Sequence, residues 1–243
     1  MNRKMQLLCT WGAPVTVVFD LLGWLIAGII PRPPAANDSP QRIVAWYAEN
    51  PTAVRAGLLI ALLGVCGVGP LMAVISVQMM RIEGRRPVLS LMQLAAGVVT
   101  WVMLFVPMLI MLVAAFRPER SPEITVTLTD LAWILFVTPI GPFIVQNLAI
   151  ALAVFSDRNT PPVLPRWVGY ANVWVALLFC PAAMAYFFKS GPLAWQGIFA
   201  FWLGLVMYTI WAFIMFVTLR RAIRTDDTDD ADASAPTRRT VPA

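Results

Sequence analysis

The sequence predicts an all-α fold: a polytopic six-helix transmembrane bundle with both termini cytoplasmic. Three observations lead there. Of 243 residues, 59% are apolar and only 13% charged, against roughly 45–50% and about 25% in soluble domains. A mean hydropathy of +0.74 leaves too little polar surface to coat a water-facing globule. Six apolar stretches, Trp11 to Ile30, Ala56 to Met79, Leu89 to Phe116, Leu131 to Phe155, Val168 to Phe188 and Trp195 to Leu219, match the roughly 20 residues that cross about 30 Å of hydrocarbon.

An even number of spans puts both termini on one side. With them fall Arg3, Lys4, Arg81, Arg85, Arg86, Arg158, Arg166 and the tail arginines 220, 221, 224, 238 and 239, against Arg32, Arg42, Arg55, Arg117, Arg120 and Lys189 opposite. That excess places the termini in the cytoplasm. The first stretch is expected to stay as a span, because it exceeds the about 7–15 residues of a signal-peptide core and ends at Pro31 to Pro34, a poor cleavage context.

Between spans 1 and 2, Ser39 and Pro40 form an N-cap and first-turn pair. They predict a short external surface helix near residues 40–50, with Ile43, Val44, Trp46 and Tyr47 facing inward. Span 4 carries Pro139 and Pro142, which remove two backbone donors and free the carbonyls of Leu135 and Thr138, with Gly141 loosening the same turn; a broken helix is expected. Residues 1–224 thus form the membrane domain. The Asp-, Thr-, Ala- and Pro-rich stretch 225–243 has the composition of a disordered cytoplasmic tail. Sixteen arginines against two lysines suggest a GC-rich bacterial genome and hence the bacterial plasma (inner) membrane.

Several chemistries fall away. Histidine is absent and the three cysteines, Cys9, Cys66 and Cys180, are far apart, so common haem, zinc and thiolate-metal sites and Ser-His or Cys-His nucleophile pairs have no ligands or base. Asp226, Asp227, Asp229 and Asp230 match the spacing of a diphosphate-magnesium motif but lie in the tail rather than in an apolar pocket. Val168-Gly169-Tyr170 matches part of a potassium filter but opens span 5 after an Arg-Trp interfacial anchor. Met103, Met108 and Met111 lack the His or Cys neighbours of a copper site and read as packing. No cofactor, metal or nucleic-acid partner is expected, and the polar set lacks a nucleophile and base for an enzyme.

One constellation stands out. Asp20 lies in the middle of span 1, where a carboxylate costs about 2.5–3.5 kcal/mol. Its neighbours at helical spacing, Ala13, Thr16, Gly23 and Ala27, form a small stripe that admits another helix and turns Asp20 into the bundle. Every Lys and Arg lies in a loop, tail or span end, so Asp20 must be protonated, hydrogen-bonded to neutral groups or paired with a bound cation. Gln146 and Asn147, beyond the span 4 prolines, are the natural partners, with Thr100 and Tyr208 at comparable depth. Broken helices beside a lone acid build transporter sites; the same residues also serve as interhelical glue at about 0.6 kcal/mol per bond. The basic ring of Arg81, Arg85, Arg86, Arg158, Arg166, Arg220, Arg221 and Arg224 suits anionic headgroups.

The strings Glu83-Gly84-Arg85-Arg86-Pro87, Phe116-Arg117-Pro118-Glu119-Arg120-Ser121-Pro122-Glu123 and Pro165-Arg166-Trp167-Val168-Gly169-Tyr170 resemble an uncharacterised family of six-span bacterial integral membrane proteins over most of residues 20–224. The resemblance implies the six-helix architecture and no activity or site. Two functions lead, with an enzyme third: small-molecule or ion transport or binding around Asp20, Gln146, Asn147, Thr100 and Tyr208, and a non-catalytic scaffold or accessory subunit. The first calls for a small ligand or ion as partner, the second for another membrane protein, both within the lipid bilayer.

Overall fold

The structure is a computed structural model that describes residues 3–117 and 119–234, with 226–234 described for the backbone alone. Among the described residues it is helical without strands, and six helices are long and apolar enough to cross a membrane. The chain is a multi-pass membrane protein.

Five of the six spans are not single α-helices. Span 1 is α1 (Arg3–Thr10) and α2 (Gly12–Ile26), joined through a turn at Trp11. The external helix α3 (Pro40–Glu49) follows, capped by Ser39, whose hydroxyl accepts from the Arg42 N–H at 3.3 Å with Pro40 at the first turn. Ile43 and Tyr47 are buried while Val44 and Trp46 are half-buried, so α3 docks on the bundle as well as facing the interface. Span 2 is α4 (Pro51–Val65) and α5 (Val68–Glu83); span 3 is α6 (Val88–Phe116), one helix with Pro107 inside it.

Span 4 breaks as its prolines predict, into α7 (Pro122–Val137) and α8 (Ile140–Ser156). The Leu135–Thr138 carbonyl expectation needs one correction. Pro139, at φ −78° and ψ 58°, makes an inverse γ-turn, and the Thr138 carbonyl is taken by the Ile140 N–H at 2.7 Å. Span 5 begins as α9 (Arg166–Phe179) and ends as a tighter 3₁₀ stretch, Cys180–Tyr186, with Pro181 in its first turn. Span 6 opens with a wider π turn, Ile198–Trp202, and continues as α10 (Leu203–Ser234). α10 thus runs into the stretch expected to be disordered from 225. A helix already nucleated in the bundle extends without a new nucleation cost. Residues 235–243 lie outside those described.

The small stripe of span 1 finds its partner in span 2 rather than span 4. A Cβ on Gly23 would stand 2.4 Å from the Gly57 carbonyl oxygen, and one on Gly57 would stand 2.3 Å from that of Gly23. Gly12 and Gly67 meet in the same way, a Cβ on either falling 2.1 or 2.5 Å from the other's oxygen. Between them the Thr16 hydroxyl lies 2.9 Å from the carbonyls of both Gly12 and Gly64. With no side chains between the backbones, dispersion and hydrogen bonding replace the hydrophobic effect that lipid cannot supply.

The remaining core has two layers. One, beside the chain ends, gathers Leu71, Ile75, Ile150, Trp211, Met215 and Leu219. The other, beneath α3, gathers Tyr47, Leu58, Met111, Trp133, Trp195 and Phe201. Trp101 and Leu104 pack against both. The end beneath α3 is closed by the Trp195 indole N–H donating to the Pro34 carbonyl at 2.9 Å, with Trp195 stacked on Trp133. At the other end Arg220 lies over the rings of Trp11 and Phe216, tying span 6 to the start of span 1.

Candidate functional site

Where the two core layers meet, a cavity of about 90 Å³ opens between spans 1, 3, 4, 5 and 6. Asp20 and Tyr208 supply its carboxyl and phenol. Trp24, Phe136, Phe179 and Phe201 supply its aromatic walls. Trp24 is held edge-on to Phe136 at 5.4 Å and packs on Phe201 at 5.6 Å. Behind the walls, Phe143 braces Phe179 at 4.5 Å and Tyr208 at 6.2 Å.

Each wall comes from a place where helix geometry changes. Phe136 and Val137 end α7 just before the Pro139 turn; Phe179 and Ala182 bracket the α9-to-3₁₀ junction; Ala200 and Phe201 lie in the π turn. Single π turns and broken helices recur at functional sites because they free side chains from the regular ridge pattern and leave room between helices. Gly204, one turn further along α10, keeps that room open: a Cβ there would meet nothing nearer than Phe179 at 3.9 Å.

Asp20 is buried, at 7% exposure, and its Oδ1 has no hydrogen-bond partner among the described residues. The adjacent Thr16 hydroxyl is engaged by the Gly12 and Gly64 carbonyls, so it has no proton left for the acid. Gly64 sits so close that a Cβ on it would lie 3.3 Å from the Asp20 Oδ1. The Tyr208 hydroxyl is likewise buried and unpartnered among the described residues. Buried polar atoms left this way cost about 1–3 kcal/mol each, unless a guest or water supplies the missing bonds.

Of the five residues expected to form the site, then, the structure brings Asp20 and Tyr208 together in one cavity. Gln146, Asn147 and Thr100 do not line it. Gln146 faces span 3 instead, its Oε1 3.4 Å from where a Cβ on Gly97 would stand, and both its amide atoms lack partners among the described residues. Asn147 donates to the Phe143 carbonyl of its own helix at 2.8 Å, and its Oδ1 has no partner among the described residues; Thr100 donates to the Ala96 carbonyl at 3.0 Å. The expected hydrogen bond from either amide to Asp20 is absent among the described residues. The chain turns at Pro139 and begins a new helix there, whose amide-bearing face meets α6 and not α2.

A separate polar chain descends from the loop between α5 and α6. The Glu83 carboxylate accepts from the Leu89 and Ser90 N–H groups at 2.8 and 2.7 Å, capping α6. The Ser76 hydroxyl reaches the Gln93 amide oxygen, and the Gln93 nitrogen lies 3.3 Å from the Met72 sulfur. Its members satisfy one another, which marks it as structural. No group of three or more His, Cys, Asp or Glu capable of holding a metal occurs among the described residues.

Comparison of the chain with family models, curated proteins and solved structures finds no match. The site therefore rests on its own geometry. The aromatic walls were not anticipated from the sequence, because Trp24, Phe136, Phe179 and Phe201 look like any lipid-facing or packing residues in an apolar span. The only available signal was Pro181, which marks the end of regular helix in span 5 as Pro139 does in span 4.

Proposed function

We propose that this chain is a transporter or membrane-buried binding protein of the bacterial inner membrane, with both termini cytoplasmic, which takes a small molecule or ion at Asp20 and Tyr208. One observation carries the reading. An unpaired buried carboxyl and an unpaired buried phenol line a cavity at the level where spans 4, 5 and 6 all depart from α-helix. Interhelical glue accounts for neither group, since glue requires a hydrogen bond that Asp20 Oδ1 and the Tyr208 hydroxyl do not make among the described residues.

The scaffold reading loses its main feature. An accessory subunit would offer a small-residue seam to its partner, whereas Gly12, Gly23, Gly57, Gly64 and Gly67 are consumed between spans 1 and 2.

The test is water access. Gly204→Cys, with Cys9, Cys66 and Cys180 changed to Ser, places a thiol in the cavity with little steric demand. A small, membrane-impermeant methanethiosulfonate should modify it from each side of oriented vesicles in turn. Modification from one side would restrict the function to binding, and a thiol inert from both sides would reject the reading.

A further inference from the structure

We infer that the cavity receives a small organic ammonium cation, with Asp20 as counter-ion and the aromatic walls as a cation–π box. This rests on the reading of the cavity as a ligand site. Trp24, Phe136, Phe179, Phe201 and Tyr208 line the same cavity as Asp20, the only carboxyl in its lining. Aromatic faces attract a cation through the ring quadrupole, at about 2 kcal/mol or more once desolvated, and recognise alkylated ammonium groups in this way.

Other guests fit less well. A sodium or calcium ion seeks about six oxygen ligands. Here the side chains of the lining offer the Asp20 carboxylate and the hydroxyls of Tyr208 and Thr209, four oxygens at most. An anion would meet the carboxyl with no Lys or Arg in the lining. A neutral apolar guest would leave both polar groups unpaired, each at about 1–3 kcal/mol. An ammonium ion satisfies all three conditions together: its charge neutralises the acid, its N–H or polarised C–H groups reach Asp20 and Tyr208, and its alkyl carbons replace water against the rings.

Size narrows the class. At about 90 Å³ the cavity is smaller than the roughly 150 Å³ space that takes benzene. It therefore suits an ammonium group bearing a few methyl or ethyl carbons and excludes bulky aromatic cations.

The experiment uses the Gly204→Cys chain in lipid nanodiscs with tetramethylammonium, ethylammonium, sodium and tert-butanol as probes. The two ammonium ions should slow thiol modification saturably, at least tenfold, while sodium and tert-butanol at equal concentration should not. Added to this background, Asp20→Asn should abolish the protection and Phe136→Leu should weaken it at least threefold in half-saturating concentration. Calorimetric titration of the unmodified protein with tetramethylammonium gives an independent readout should the cysteine variant fold poorly. A thiol reached from water but protected equally by tert-butanol, or by sodium alone, overturns the ammonium assignment and leaves the ligand site standing. A thiol never reached, together with calorimetry showing no binding, removes both.

Discussion

At the residue scale the decisive contrast is between Thr16 and Asp20, one helical turn apart on the same face. Thr16 completes its bonds within the helix pair, whereas the Asp20 Oδ1 finds no partner among the described residues. Thr16→Val should therefore cost about 0.6 kcal/mol, the typical worth of an interhelical bond in a membrane, and leave ligand protection intact. Asp20→Asn keeps the size of the side chain and should leave thermal stability in detergent level or raised while removing ligand binding; paired melting and calorimetry separate the two. Tyr47, outside the spans, gives a pH signature. Burial pushes its hydroxyl up to about 12 against an ordinary 10.0, with the hydrogen bond from Thr129 acting the other way. The folded state thus disfavours tyrosinate, so the stability this group contributes is complete below about pH 10 and lost as pH rises toward about 12. Alkaline denaturation should shift to higher pH in Tyr47→Phe; an unchanged midpoint would show that Tyr47 does not control it.

At the element scale the close pairing of spans 1 and 2 is the most restrictive feature. Gly23→Ala or Gly57→Ala drives a methyl group into backbone at 2.4 or 2.3 Å, and overpacking of that kind costs about 1–3 kcal/mol. Gly141→Ala meets nothing within 4 Å and should be neutral or stabilising, so melting curves of the three variants test whether the seam, and not glycine as such, matters. Much of this was legible beforehand. Asp20, the stripe of Thr16 and Gly23, the Ser39 cap and the span 4 break all follow from spacing and proline chemistry. What one helix cannot disclose is which neighbour its stripe will meet. Gly57, Ala61 and Gly64 repeat at similar spacing in span 2, and that complementarity, more than the polarity of Gln146 and Asn147, decides the pairing. Pro181 marks where span 5 leaves the α-helix, but the π turn was invisible for a related reason: it arises where spans 5 and 6 accommodate each other, and no local propensity records that.

At the scale of the whole molecule, stability and function occupy different places. The two core layers and the glycine seam hold the bundle, while Asp20, Trp101, Gln146, Asn147 and Tyr208 carry buried polar atoms without partners among the described residues. Deleting residues after Arg224 should leave melting unchanged, because the buried run of α10 ends with Ala222 and Ile223; a fall of several degrees would show that the acidic stretch docks on the arginine-rich end. The central claim is that Asp20 responds to a ligand and does not merely fill space. Infrared difference spectroscopy in lipid, recorded with and without tetramethylammonium and compared between wild type and Asp20→Asn, tests it most directly. Binding should convert a protonated carboxyl band, or shift an existing carboxylate band, in wild type alone. Identical difference spectra from the two proteins, with no Asp20 band responding, would contradict it.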